Sequence, residues 1–195
     1  AIPNDALAVQ TEAAQPGRNV CLTFDDGPSK HTDAIAAALA EYHAPATFFV
    51  TAQPANLPYY DRLPALLAAG HQIAMHSASH DYAAIYQSPE AFWLDIKALR
   101  QALEPYVPLD ELYWLRFPGG STNTVSHRYG GRRIMEELKA QTEEKGWHWI
   151  DWNVCGEDAT ASHPDAEQIL RNIRQDAADK TVCVVLLHDT KTAGQ

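Results

Sequence analysis

Thr23-Phe24-Asp25-Asp26-Gly27-Pro28 sets two adjacent carboxylates at the end of an apolar run that starts at Asn19, and closes it with a Gly-Pro turn. Charge directly behind a buried strand marks the C-terminal edge of a parallel sheet, where the loops of α/β folds do chemistry. The arrangement recurs downstream. Short β-branched or aromatic runs over residues 19–24, 46–50, 71–75, 113–117, 147–151 and 181–187 predict six strands, with stretches of helical periodicity between them. This alternation predicts an α/β fold: an irregular or incomplete (β/α) barrel with parallel strands and an active site at their C-terminal rim.

Between the strands, Ile35, Leu39 and Tyr42 predict the apolar stripe of one helix. Leu63, Leu66 and Leu67 predict a second, starting at Asp61 with Pro64 tolerated in its first turn and closed by Gly70. Ser88-Pro89 reads as an N-cap followed by proline at the first helical position, and Phe92, Ile96, Leu99 and Leu103 share one face behind it. Further helices are expected around 132–145 and 165–178.

The 195 residues suffice for one well-buried domain. We assign residues 18–195 to it, and read 1–17, rich in Ala, Gln and Pro, as a linker or trimmed extension. A composition 46% apolar and 21% charged is that of a folded protein. The net charge of −10 and the absence of a basic cluster argue against a nucleic-acid partner. The longest strictly apolar run, residues 182–187, is far short of the roughly 20 residues of a membrane span. Cys21, Cys155 and Cys183 are too scattered for a disulfide framework or a CxxC metal site, and Cys21 and Cys183 are expected as small core residues.

Five motifs carry the candidate chemistry. Asp25-Asp26 has a bland reading, acids facing the next helix N-terminus, and a functional one in which one carboxylate binds a cation while the other moves a proton. His76-Ser77-Ala78-Ser79-His80 sets two imidazoles at i and i+4, which in a helical turn would project to one side, as metal ligands must. Joined to one carboxylate, they make a two-histidine, one-carboxylate site with open positions. Arg116-Phe117-Pro118-Gly119-Gly120 is either a strand ending in a tight turn or a guanidinium for a site carboxylate beside backbone N–H groups that can approach an oxyanion. Asp151 to Asp158 and Leu186-Leu187-His188-Asp189 complete the set, and all five fall at the ends of predicted strands.

In this order the motifs resemble the polysaccharide deacetylase family, carbohydrate esterase family four or the NodB homology domain, over residues 20–189. The resemblance implies Asp26, His76 and His80 as metal ligands, Asp25 as catalytic base and His188 as catalytic acid. It also implies that Arg116 orients and charge-pairs the base, and that Asp158 hydrogen-bonds His188. The implied cofactor is a divalent ion, zinc by preference, with cobalt or another divalent ion as alternatives. The implied reaction is hydrolysis of the N-acetyl group of an N-acetylglucosamine-type sugar in a cell-wall polysaccharide, peptidoglycan by preference; the alternative is a chitin oligomer or acetyl-xylan deacetylase. A monomer, outside the cell or in its envelope, is expected.

The chain departs from the family pattern in length, stopping seven residues after His188 where the family usually continues into another helix and strand, so that a fragment or a differently closed barrel is expected, and in two motifs. Cys155 and Ala159 stand where an aspartate and a tryptophan are usual, which alters one groove wall. Gly119 stands where an aromatic residue often precedes the last glycine, which is expected to open the groove floor. Two rival readings differ in class. A two-histidine-one-carboxylate iron oxygenase leaves Asp25, Arg116 and His188 without work, and a sugar-binding module that has lost catalysis would be expected to lack one of these residues.

Overall fold

Residues 17–190 are described by a computed structural model; of the stretch read as a linker, 1–16 lie outside the described residues. Strand β1 (Asn19–Gly27) is the centre of the sheet, flanked by β2 (Ala46–Thr51) and β7 (Val182–His188). Beyond β2 follow β3 (Gln72–Ser77), β4 (Trp114–Leu115) and β5 (His148–Trp149), and β6 (Val154–Cys155) pairs with β7. All pairings are parallel, in the order β5-β4-β3-β2-β1-β7-β6, so the sheet is the expected incomplete (β/α) barrel.

Strand alternation divides the side chains into two layers. Phe24, Phe48, Ile73, Met75 and Leu115 face the helices and join one core with Ile35, Leu39, Phe92, Ile96 and Leu99. The Phe24 and Phe48 rings stack at 5.3 Å. The intervening residues form the inner layer, where register sets Asp25 beside Phe49 on one flank and beside His188 on the other, and Phe49 beside Ala74. Polar residues therefore converge inside the half-barrel because the apolar ones are drawn outward to the helices.

The helices are α1 (Thr32–Glu41), α2 (Leu63–Ala68), α3 (Tyr82–Ile85), α4 (Pro89–Leu103), α5 (His127–Gly130), α6 (Ile134–Glu144) and α7 (Ala166–Asp176). Ser88 caps α4 by accepting from Ala91 N–H, and Asp165 caps α7 by accepting from Gln168 N–H. Phe92, Ile96, Leu99 and Leu103 are the buried face of α4, as their spacing predicts.

Several expectations are corrected. Among the described residues the strands number seven, because β6 is a pairing too short to produce a sequence pattern. The runs at 113–117 and 147–151 pair over only two residues each. β1 and β3 extend past their predicted ends, so Asp25, Asp26 and His76 lie on strands rather than behind them. Tyr42 is 77% exposed, since α1 ends at Glu41 and its phenol has turned off the stripe. Asp61 caps nothing: it belongs to a 3-10 turn over Leu57–Arg62 that leads into α2. Leu99 is fully buried in the core, so Leu99→Ala should lower the unfolding free energy by roughly 2–5 kcal/mol in urea denaturation.

Candidate active site

Two neighbours on an ordinary strand point to opposite faces, yet Asp25 and Asp26 reach the same opening. The pairing of β1 with β2 shifts register between Asp25 and Gly27, and Asp26 adopts φ +68°. Such a bulge re-aims a side chain. It is held there by Asn56 Nδ2, which donates to the Asp26 carbonyl at 2.8 Å and to the Pro28 carbonyl at 2.9 Å. Asp189 fixes the other side: its N–H donates to the Asp25 carbonyl at 2.8 Å, and its buried carboxylate accepts from Ser29 Oγ and Thr32 Oγ1.

His76 and His80 do not share a helical turn. His76 is the fifth residue of β3, and His80 follows a tight loop with φ +54°. That loop is organised from outside the motif. Asp95 on α4 accepts from Ser77 Oγ at 2.6 Å, Ala78 N–H at 2.7 Å and Ser79 N–H at 2.9 Å, and Ser77 Oγ accepts from His80 N–H at 2.8 Å. The two rings lie 5.1 Å apart.

The Arg116 carbonyl, 2.7 Å from His76 Nδ1, can only accept, so Nδ1 carries the proton and Nε2 offers a lone pair. Burial pushes His76 down to about 3, which makes it neutral. Its closeness to Asp26 is therefore not an ion pair. His76 Nε2 and His80 Nε2 stand 3.6 and 3.5 Å from Asp26 Oδ1, an oxygen that is buried and has no hydrogen-bond partner among the described residues. Three ligand atoms within 4.8 Å of one another around an orphaned carboxylate oxygen fit a divalent cation.

Arg116 is a buried inner-layer residue, not a surface charge. Its Nη1 donates to Asp25 Oδ1 and Thr23 Oγ1, each at 2.8 Å, and Nε and Nη2 donate to the carbonyls of Ile150 and Asp151. The guanidinium is stacked on Phe49 at 4.2 Å and faces Trp152 at 5.6 Å. For Asp25, burial outweighs the opposing pull of Arg116 and His188 and holds the carboxyl above its usual range.

His188 ends β7 as the cross-strand neighbour of Asp25. Asp158 grips it twice, accepting from the backbone N–H at 2.7 Å and, through Oδ1, facing Nδ1 at 2.9 Å. Burial pulls the His188 pKa down, but the Asp158 hydrogen bond and charge, with Asp25 and Asp26, outweigh it and raise it above the usual histidine value. The neutral-pH form is thereby shifted toward imidazolium, with Nε2 free of Asp158.

The loop after β4 is anchored by Tyr86, whose hydroxyl donates to the Pro118 carbonyl at 2.7 Å, and by Asp151, which accepts from the Ser121 N–H and hydroxyl. Trp152 borders Gly120. Against expectation, the floor at Gly119 is not open, because Tyr82 fills it: its hydroxyl lies 2.7 Å from where a Cβ on Gly119 would be.

All seven predicted residues, Asp25, Asp26, His76, His80, Arg116, Asp158 and His188, gather at the C-terminal rim. Asp95, Asn56, Asp189 and Tyr82 were not assigned roles from the sequence. Asp95 alone carried a signal, as an acid one residue from Ile96 and three from Phe92 on the apolar side of α4.

Fold and rim together define an α/β-barrel hydrolase. The family model for polysaccharide deacetylases matches residues 12–150, and the chain belongs to that family, whose members are hydrolases of N-acetyl amide bonds. A chitooligosaccharide deacetylase of Rhizobium leguminosarum bv. trifolii is 30% identical over 179 residues, covering 91% of this chain and 74% of the relative. A peptidoglycan-N-acetylglucosamine deacetylase of Bacillus cereus is also 30% identical, over 86% of this chain and 58% of its own length. The catalytic domain of a peptidoglycan N-acetylglucosamine deacetylase from Eubacterium rectale superposes with a TM-score of 0.84 at 34% identity, covering 96% of this chain and 85% of that one.

Zinc titration should find one site, and His80→Ala should abolish stoichiometric binding. Asp95→Asn should weaken zinc by about 10- to 100-fold by loosening the His80 loop. Calorimetry checks both, and an unchanged zinc affinity in His80→Ala would remove that ligand.

Proposed function

We propose that this chain hydrolyses the N-acetyl group of an N-acetylglucosamine-containing polysaccharide, releasing acetate, with peptidoglycan as the preferred polymer and chitin oligomers as the alternative. The observation that carries the reading is the cross-strand placement of Asp25 and His188 beside the Asp26, His76 and His80 cluster. The preference for peptidoglycan draws on what the Bacillus cereus and Eubacterium rectale proteins are named for. Such a substrate puts the working protein outside the cell or in its envelope.

Amide hydrolysis needs an activated water, a stabilised oxyanion and a proton for the departing amine. Asp26, His76 and His80 would hold a divalent ion, zinc by preference, which would supply Lewis-acid polarisation of the acetamide carbonyl and acidification of water. Asp25 takes a proton from the attacking water. Arg116 engages Asp25 Oδ1 and leaves Oδ2, which faces His76 Nε2 at 3.8 Å, as the basic oxygen. The Gly119 N–H, exposed at the turn after Phe117, donates to the oxyanion as the water oxygen adds to the carbonyl carbon. His188, oriented by Asp158, protonates the sugar nitrogen from Nε2 as the carbon–nitrogen bond breaks. A free amine stays on the polymer and acetate departs.

Acetate release from N-acetylglucosamine oligomers and from purified peptidoglycan, with and without a chelator, tests the proposal. Chelator-sensitive release is expected, faster on peptidoglycan; no release from folded, zinc-loaded protein on either polymer would overturn it. Asp25→Asn should still bind one zinc per chain while kcat falls by about 10²- to 10⁴-fold; full activity would remove Asp25 as base.

His188 must be protonated to act, so activity should fall as pH rises through its elevated pKa. Asp158→Asn removes the largest of the influences that raise that pKa, and the alkaline limb should move to lower pH. An unmoved limb in the kcat–pH profile would show that His188 does not set it.

A further inference from the structure

The third motif leaves a gap, and a different element fills it. Gly119 is exposed with φ +78°, a conformation that suits glycine, and a Cβ there would lie 2.7 Å from Tyr82 Oη, 3.1 Å from Cε1 and 3.3 Å from Cζ. A side chain at position 119 would thus be strained by its backbone and would have to displace the Tyr82 hydroxyl. The phenol in turn lies directly against the backbone that presents the Gly119 N–H.

Tyr82 is held rigidly in this position. It opens α3, where Asp81 accepts from the Ala83 and Ala84 N–H groups. Its ring meets His80 edge-on, with centroids 5.6 Å apart and planes at 74°, and meets Tyr86 at 5.7 Å and 69°. Tyr86 is itself tied down by its hydroxyl on Pro118. The Tyr82 hydroxyl is engaged by no protein group among the described residues, and the residue is half-buried. An idle donor on a fixed ring therefore stands between His80 and the Gly119 N–H, the two groups that an acetamide in this site would have to touch.

We propose that Tyr82 contacts the substrate directly: its ring is the floor under the acetylated sugar, and its hydroxyl donates to the acyl oxygen alongside the Gly119 N–H as that oxygen gains charge. The proposal rests on the deacetylase reading above. No bond forms to Tyr82 and its proton stays on the phenol. A donor aimed at charge that develops only in the transition state raises kcat more than it lowers KM. The aromatic surface absent from the loop after β4 is supplied from α3.

The test compares the full chain with Tyr82→Phe and Tyr82→Ala. Acetate-release kinetics on N-acetylglucosamine oligomers are measured beside zinc titration, thermal unfolding and calorimetric binding of acetohydroxamate to the zinc-loaded proteins. Tyr82→Phe should lose about 10²-fold in kcat with KM, zinc affinity and melting temperature unchanged. Tyr82→Ala should add a rise in KM. A Tyr82→Phe enzyme with the parent's kcat would overturn the proposal, and so would a drop in zinc affinity as large as the drop in kcat, which would mark a purely structural role. If the parent releases no acetate, the deacetylase reading fails separately. Acetohydroxamate then decides: equal affinity in parent and Tyr82→Phe overturns the contact, and binding weakened tenfold or more supports it.

Discussion

A guanidinium shut away from water is the constraint to which the rest of this site is fitted. Arg116 is fully buried, and a buried charge is tolerable only when it is paired and its donors are used. Asp25 and Thr23 of β1 satisfy one edge, and the carbonyls of Ile150 and Asp151, just past β5, satisfy the other. One side chain thereby ties the centre of the sheet to its edge across the inside of the half-barrel. The backbone carbonyl of the same residue sets the tautomer of His76. Removing the arginine would leave Asp25 buried without its counter-ion, which typically costs about 3–5 kcal/mol. The residue that orients the proposed base is thus also among those that hold the inner layer together.

The sign of each electrostatic effect follows from where water is absent. Burial alone would favour the neutral forms of Asp25, His76 and His188. It does neutralise His76, which suits an imidazole that is to offer a lone pair. At His188 the same penalty is reversed by the doubly engaged Asp158, leaving an imidazole that holds its proton more tightly than usual. Two histidines beside the same carboxylates are driven apart in protonation, because burial prevails at His76 and the Asp158 carboxylate prevails at His188.

How far the sequence was legible can be judged residue by residue. The strand cores and the buried face of α4 were readable because burial imposes a period of 2 on one and 3.6 on the other, and charge at the strand ends pointed to the rim. The geometry of His76 to His80 was misread as a helical turn. Its conformation is imposed by Asp95, which lies 16 to 18 residues away from the groups it accepts from; an acid on the apolar side of α4 is visible in the sequence, but not which loop it holds. Likewise the bulge at Asp26 depends on Asn56, and β6 is too short to leave a periodic trace. The floor at Gly119 was misread for a related reason. A missing side chain was visible in the sequence, but its replacement from α3 was a fact of packing.

Among the described residues, β5 and β6 are the two edges of the half-barrel's sheet. An unpaired edge is a template on which a second molecule can add a strand, and long flat edges are the ones that seed aggregation. Here each edge strand is two residues long, while the long strands β1, β2, β3 and β7 are all interior. A visiting strand would find too few backbone groups in line to grip. The half-barrel can stay open along its side without becoming adhesive there.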